Sequence, residues 1–175
     1  MKSIYFTRFL VAALLLVSFS FTADAQKQPK SPPQSIMQEI GDLQIDLNYN
    51  APSVKGRKIW GALVPTGQVW RTGANDATTF EINKAVTING EQLAAGKYSL
   101  FTIPNGKEWT FIFNKQAEQW GAYKYKEAQD ALRVTAQPTA APEFTEQMTF
   151  EMDATGVVSL LWEDLKVSFT VDAEK

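Results

Sequence analysis

Hydrophobic and polar residues alternate along much of the chain, beginning at residue 43. Over residues 43–50, Leu, Ile, Leu and Tyr occupy every second position, and Gln, Asp and Asn stand between them. A period of two places the apolar side chains on one face of an extended chain, so this segment is predicted to be a half-buried strand. Pro52 is predicted to end it, because proline has no N–H to donate to a sheet ladder.

Further extended segments follow, with turn residues between them. Strands are predicted over residues 77–83, 86–88, 92–93, 98–103, 108–114, 132–134, 148–152, 158–162 and 167–171. Asn89-Gly90 is the strongest hairpin signal, because both central positions of a type I′ turn need a positive φ. Glu163-Asp164 marks a turn between the last two strands. Residues 115–130 are predicted to be a loop with one turn of helix, and residues 137–143 a connecting loop.

This succession of about nine short strands with almost no helix predicts an all-β fold. A turn about every 8 to 12 residues is typical of an antiparallel β-sandwich, here jelly-roll-like, with a closed β-barrel as the alternative. The hydrophobic share of 45% in 175 residues is enough for one packed domain, which we assign to residues 40–175. Residues 26–39 contain three prolines and little apolar content, so they are predicted to form a flexible leader.

The first 25 residues have the pattern of a secretory signal peptide. Lys2 and Arg8 form a positively charged region. An apolar run follows it, residues 9–19, that is too short to span a bilayer well. Ala23-Asp24-Ala25 then supplies the small-x-small cleavage pattern, which puts the mature start at Gln26. We therefore expect an exported protein, periplasmic or extracellular, with no membrane span after cleavage. An uncleaved anchor helix is the alternative.

Two absences restrict the chemistry. The chain has no Cys, so an exported form is held together by its core and not by disulfides. It also has no His, which removes Ser-His-Asp and Cys-His catalysis, the HExxH zinc helix and imidazole metal sites. Catalysis would have to use carboxylates, Lys, Tyr or Ser, so the sequence favours a protein that is not an enzyme. No metal or cofactor is predicted.

Charge restricts the partners. The formal net charge is -2, and no stripe of Lys and Arg appears along the chain. Binding to nucleic acid requires clustered cations that neutralise several phosphates, so nucleic acid is not an expected partner. The oligomeric state is left open.

Unusual chemistry is concentrated in residues 55–76, which hold two of the five Trp and the polar run from Arg71 to Asp76. A Trp face can stack on a sugar ring, and the guanidinium fork of Arg can hold a carboxylate, a phosphate or vicinal hydroxyls. A second aromatic group lies in the loop over residues 119–125. The candidate ligand-binding residues are Arg57, Trp60, Arg71, Asn75, Trp120 and Tyr123.

Each candidate also has a purely structural interpretation. Trp60 can be a core residue, as we expect for Trp70, because a Trp side chain buries about 150–250 Å². Arg71 can form an ion pair with one carboxylate. Asn75 can cap the turn before Ala77, as Asn often does. Arg57 can belong to a solvated cationic loop.

Four ordered segments resemble a known family. They are GRKIWGALVPTGQVWRTGAN (residues 56–75), GKYSLFTIP (96–104), EWTFIFN (108–114) and QWGAYKY (119–125). They are similar in type and spacing to the domain of unknown function 2911 family of exported bacterial proteins, over roughly residues 40–172. The resemblance implies a secreted or periplasmic single domain, and it implies no activity.

Three functions are compatible with the residues. The first is a non-catalytic binding module for a carbohydrate or another small polar ligand, with a groove lined by the candidate residues. The second is a carboxylate-dependent hydrolase or lyase acting on glycans, which requires two acids facing each other across a cleft. The third is a structural or interaction module of the cell envelope that pairs through a sheet edge or an apolar patch.

Overall fold

The structure is a computed structural model that describes residues 30–173, and ten strands account for most of that range. In chain order they are β1 (Pro33–Ile40), β2 (Leu43–Asn50), β3 (Thr78–Ile82), β4 (Val86–Ile88), β5 (Glu91–Leu93), β6 (Gly96–Asn105), β7 (Glu108–Asn114), β8 (Asp130–Ala136), β9 (Thr139–Met152) and β10 (Val157–Ala173). The alternation in residues 43–50 forms β2, and Asn89 and Gly90 have the positive φ values that the predicted β4–β5 hairpin needs.

The strands form two antiparallel sheets. One has six strands in the order β1-β2-β3-β6-β7-β8, and the other has four in the order β5-β4-β10-β9. Neither sheet closes on itself, so the predicted β-sandwich is confirmed and the closed-barrel alternative is wrong. In the six-stranded sheet, β1–β2 and β6–β7 are hairpins with short turns, and longer segments connect the other neighbouring strands.

Aromatic side chains fill the space between the sheets. Phe169 of β10 contacts three rings of the six-stranded sheet edge-on, at centroid distances of 5.9 Å to Phe80, 4.9 Å to Phe111 and 5.6 Å to Phe113. All four rings are buried. Each fully buried Phe contributes about 1.5–3 kcal/mol relative to exposure, and edge-on pairing adds to that.

The region assigned to a flexible leader, residues 26–39, contains a strand from Pro33 onwards, which differs from the prediction. All eight residues of β1 pair with β2, with Ile36 opposite Leu47. Pro33 is the first residue of this edge strand, where a missing N–H is tolerated. The side chains of β1 are mostly exposed, so its sequence shows no strong alternation. Residues 26–29 and the predicted signal peptide, residues 1–25, lie outside the described residues.

The predicted connecting loop over residues 137–143 is also strand, because β9 begins at Thr139. Most side chains in the first half of β9 are exposed, and they include Pro142, so nothing in the sequence distinguishes them from a loop. The order of this segment comes from backbone pairing with β10, where Ala140 lies opposite Leu165.

The strand β10 reverses direction within its length. The hydroxyl oxygens of Ser159 and Ser168 are 2.8 Å apart, although nine residues of straight strand span about 30 Å. The N–H of Val171 likewise donates to the carbonyl of Gly156 at 2.8 Å. Glu163 has a φ of 57°, and the register against β9 shifts there. The turn predicted at Glu163-Asp164 is therefore confirmed, inside one continuous extended segment.

The segment between β7 and β8 covers part of the outer face of the six-stranded sheet. Phe101 and Ile112 are buried there, and the ring of Tyr125 meets Phe101 edge-on at 5.1 Å. The predicted turn of helix is a 3-10 turn, Glu127–Gln129. Among residues 30–173, no helix is both long and apolar enough to cross a membrane.

Candidate functional site

Residues 71–77 form a loop that leaves the six-stranded sheet and returns to it. Trp70 pairs with Thr102 of β6 through two backbone hydrogen bonds of 2.8 and 2.9 Å. Thr78, the first residue of β3, lies opposite Leu100 on the same side of β6. Trp70 and Thr78 therefore lie close together along the same edge of β6. The N–H of Thr78 donates to the carbonyl of Arg71 at 3.1 Å. The intervening residues are looped out, and we call them the 71–77 loop.

The backbone of this loop includes a strained residue, Thr72, and is held by contacts with neighbouring strands. Thr72 is completely buried and has a φ of 53°, a region that costs a β-branched residue about 1–3 kcal/mol. Its carbonyl accepts a 2.7 Å hydrogen bond from Oγ1 of Thr78, and its own Oγ1 lies 3.2 Å from that of Thr102. A Cβ on Gly73 would lie 3.0 Å from the carbonyl oxygen of Asn50, so the loop also packs closely against β2. Its conformation is therefore set by the surrounding strands.

A cavity of about 470 Å³ opens beside the 71–77 loop. This volume lies in the usual range for small-molecule sites, about 300–1,000 Å³. Among the described residues, the apolar ones that line the cavity are Pro52, Leu63, Val64, Trp70, Ala74 and Trp162. The charged ones are all cations: Lys30, Lys55, Arg57 and Arg71. The cavity therefore combines an apolar wall with a positive rim.

Within residues 30–173, no carboxylate forms an ion pair with these cations. The ion pairs there involve Lys84, Lys97 and Arg133. The guanidinium of Arg57 donates to the carbonyls of Ser53 and Val54, and the backbone N–H of Lys55 donates to Oε1 of Glu146. The Glu146 carboxylate thus accepts a hydrogen bond from the backbone here. The ion pair considered for Arg71 is not formed within the described residues.

Two buried N–H groups of lining residues have no hydrogen-bond partner. They are Nε of Arg71 and Nε1 of Trp162. A buried donor without an acceptor costs about 1–3 kcal/mol, so native structures contain few of them. Arg71 and Trp162 line the cavity, whereas Trp60, whose buried Nε1 is also without a partner, does not.

Trp60 lies behind the cavity in a cluster of four indoles. Its ring is edge-on to Trp70, Trp109 and Trp162, at centroid distances of 6.0, 5.0 and 5.6 Å. Trp70 and Trp162 are stacked, with 5.9 Å between centroids and 17° between planes. Trp60 is partly buried and is not a lining residue, so this geometry favours its packing interpretation. Trp70 is buried, as predicted for a core residue, and Trp109 and Trp162 are buried as well.

Asn75, Trp120 and Tyr123 lie on the other side of Arg71. The carbonyl of Asn75 accepts the N–H of Gly121 at 3.0 Å, next to a bridge between Asp76 and Trp120. Trp120 and Tyr123 are 62% and 84% exposed. They form an aromatic surface on residues 119–125, which we call the aromatic loop, and neither lines the cavity.

Arg71 connects the two regions. A Cβ built on Gly121 would lie 3.8 Å from Nη1 of Arg71, and 2.9 Å from the ring of Tyr123. Arg71 is thus a lining residue of the cavity whose guanidinium reaches the aromatic loop. Arg57 and Arg71 share the cavity, Trp60 lies behind it, and Asn75, Trp120 and Tyr123 adjoin it. The role of these six residues in binding stays a prediction.

Lys30 and Trp162 were not predicted as site residues. Trp162 occupies an alternating position in a strand, which indicates core, and it is core and cavity wall at once. Lys30 falls in the segment assigned to the leader. Neither residue carries a signal in a single sequence, because their proximity to Arg71 arises only when the chain folds.

Titratable groups with a shifted pKa lie away from the cavity. Burial raises the pKa of Tyr125 to about 12, and its hydrogen bond to the Asp130 carboxylate acts in the same direction. A hydrogen bond from Lys84 lowers the pKa of Asp42, and one from Thr155 lowers that of Asp153. The described cavity lining includes no Asp or Glu, so the paired acids of a glycan hydrolase are not found there. Asp76 and Glu118 do line a shallower depression beside Trp120.

The fold and the cavity define an all-β sandwich domain with a cationic, partly apolar cavity beside a constrained loop. The chain belongs to the family described as "Protein of unknown function (DUF2911)", whose model matches residues 31–171. The resemblance of the four sequence segments is thereby confirmed. No match to the chain is found among curated proteins or solved structures.

Proposed function

We propose that this protein is a non-catalytic binding module for a small polar ligand, carbohydrates included, and that the ligand enters the cavity beside Arg71. The observation that carries the proposal is a cavity of about 470 Å³ that Arg71 lines without forming an ion pair within the described residues. A guanidinium held without a carboxylate retains its full capacity for an external acceptor.

The site's construction supports binding. Preorganised polar groups on a rigid wall bind a ligand with a small entropic cost. Arg71 leads into the 71–77 loop, whose backbone is fixed by hydrogen bonds to Thr78 and by close packing on Asn50. The stacked indoles of Trp70 and Trp162 supply an apolar wall of defined shape.

Export is part of the proposal. The cationic start of the chain, its apolar run over residues 9–19 and the Ala23-Asp24-Ala25 pattern support cleavage after Ala25. The module would then act in the periplasm or outside the cell, where a polar ligand of the surroundings reaches the cavity directly.

A binding screen tests the function. Trp70 and Trp162 line the cavity, so a bound ligand is expected to change the intrinsic tryptophan fluorescence of the purified protein. A library of glycans and polar metabolites is titrated against the wild type and Arg71→Ala. We expect at least one ligand whose binding weakens about tenfold or more in the variant, the usual loss for a buried charge-assisted contact.

Lys84→Ala is the matched charge control. It also removes one positive charge, but Lys84 pairs with Asp42 in the turn after β3, and neither residue lines the cavity. Its ligand affinity is expected to equal that of the wild type. The proposal fails if no ligand binds, or if every ligand found binds Arg71→Ala as tightly as the wild type.

A further inference from the structure

We infer that the cavity recognises an anionic group, a carboxylate or a phosphate ester, carried on an apolar body. This inference rests on the proposed function and specifies its ligand class. The juxtaposition that carries it is four cations, two unpartnered buried N–H donors and an indole wall around one cavity.

The charge of the cavity lining favours an anion. Lys30, Lys55, Arg57 and Arg71 line the cavity, and the described lining residues include no Asp or Glu. The whole chain has a formal net charge of -2, so this positive charge is local and opposes the overall balance. Lys30, Lys55 and Arg57 are exposed and Arg71 is half-buried. Their combined positive potential attracts an anion to the cavity and does not attract a neutral ligand.

The hydrogen-bonding groups of the lining residues favour an acceptor. Nε of Arg71 and Nε1 of Trp162 are donors only, and both are buried without an acceptor. Both residues line the cavity, so the acceptor that we infer for these donors comes from a ligand in contact with this wall. Carboxylate and phosphate oxygens are acceptors, and their charge-assisted hydrogen bonds are about twice as strong as neutral ones. A ligand hydroxyl offers weaker acceptance and brings a donor of its own.

The apolar wall of the cavity favours an apolar body on the ligand. Leu63, Val64, Trp70 and Trp162 line the same cavity, and its volume of about 470 Å³ leaves room beyond one anionic group. Burying apolar ligand surface contributes about 25 cal/mol per Å². An anionic group on an aromatic or aliphatic body therefore uses both halves of the lining, whereas an inorganic anion uses only the cations.

Matched pairs of compounds test the inference by isothermal titration of the purified protein. The pairs are 3-phenylpropionate with 3-phenylpropanol, phenyl phosphate with phenol, and glucuronate with glucose. We expect the anion of at least one aromatic pair to bind about tenfold or more tightly than its neutral partner. This advantage is expected to shrink as the salt concentration rises from about 0.05 to 0.5 M. The two aromatic pairs distinguish a carboxylate from a phosphate ester.

Two variants locate the preference. Arg71→Ala is expected to abolish it, and Lys55→Gln, which keeps a side chain of similar length, is expected to reduce it about threefold. Lys55→Gln keeps the inference testable if Arg71→Ala does not fold. A preference for the anion that persists in both variants overturns the inference.

The other outcomes separate the two levels of the proposal. If neutral ligands bind as tightly as anions and Arg71→Ala weakens both, the anionic class is wrong and the binding function stands. If no compound of the panel or of the wider library binds, both proposals fail.

Discussion

Arg71 combines a positive charge, partial burial and the absence of an ionic partner within the described residues. A structural arginine in such a place is normally paired, because burying a charge without compensation is costly. Arg133 shows the ordinary arrangement in this same chain, with hydrogen bonds of 2.7 Å to Asp130 and 2.6 Å to the hydroxyl of Tyr125. The contrast between the two arginines supports the proposal that Arg71 binds a ligand.

Replacing Arg71 with Met therefore separates function from stability. The change removes a buried donor that has no partner and retains an apolar stem, so the ligand-free protein is expected to gain about 1 kcal/mol in free energy of unfolding. Urea denaturation measures it. Arg133→Met is the control and is expected to lose about 1–3 kcal/mol, because Asp130 and Tyr125 lose their partner. A loss of stability in Arg71→Met as large as in the control would identify Arg71 as structural.

The tryptophans differ in role according to their surroundings. Trp60 contacts three other indoles, so Trp60→Ala is expected to lower the free energy of unfolding by about 3 kcal/mol. Trp120 is mostly exposed, so Trp120→Ala is expected to change it by no more than about 0.5 kcal/mol. Thermal denaturation compares the two. Equal stability of both variants would return Trp60 to the set of exposed stacking platforms.

Tyr125 makes stability depend on alkaline pH. The unfolded chain releases a phenol proton near the ordinary pKa of about 10, whereas burial in the folded protein raises the pKa of Tyr125 to about 12. Between these values the unfolded state binds fewer protons, so the free energy of unfolding falls as pH rises. Burial raises the pKa of Tyr49 and Tyr98 as well, so part of the effect is theirs.

Urea denaturation between about pH 9 and 12 tests this dependence. Tyr125→Phe cannot ionise, so its stability is expected to fall less steeply with pH than that of the wild type. Tyr123→Phe is the control, since Tyr123 is exposed, and it is expected to follow the wild type. Parallel curves for Tyr125→Phe and the wild type would contradict the assignment.

The elements follow their sequence signals where one face is buried. β2 and β7 coincide with the predicted residues 43–50 and 108–114, because their apolar side chains point into the sandwich at every second position. β1 and the first half of β9 lack that signal. They are largely exposed strands whose order comes from pairing with β2 and β10, a long-range contact that no local pattern records.

Gly156 closes the β9–β10 hairpin against the returning half of β10. A Cβ at this position would lie 2.1 Å from the carbonyl oxygen of Val171, and φ is 87°. Gly156→Ala must therefore displace backbone, and it is expected to cost about 3 kcal/mol or more of the free energy of unfolding.

Gly90→Ala is the matched control, because Gly90 has a φ of 89° and no atom within 4 Å of the added Cβ. Its expected cost is the backbone strain alone, about 1–2 kcal/mol. Denaturant titration of both variants makes the comparison. Equal losses would contradict the close approach of Gly156 to Val171.

At the scale of the whole molecule, the cavity joins segments that are distant in sequence. Trp70 pairs with the six-stranded sheet and Trp162 lies in the four-stranded sheet, so packing of the two sheets brings them to one cavity. No local sequence pattern could therefore identify Trp162 as a lining residue. The sequence did mark Arg71 and Arg57, because an unusual density of Arg and Trp in a loop-rich segment is visible without a structure. It did not separate Trp60 from the candidate residues, since a packed indole and a stacking platform have the same residue type.

The central claim is that a ligand occupies this cavity, whose wall includes Trp162. The indole N–H signals of the five Trp in a proton–nitrogen correlation spectrum test it directly, with each signal assigned by a Trp→Phe variant. On titration with a ligand from the screen, the signal of Trp162 is expected to move downfield, while that of exposed Trp120 stays in place. A Trp162 signal that stays fixed while Trp120 shifts would contradict the account and place binding on the aromatic loop.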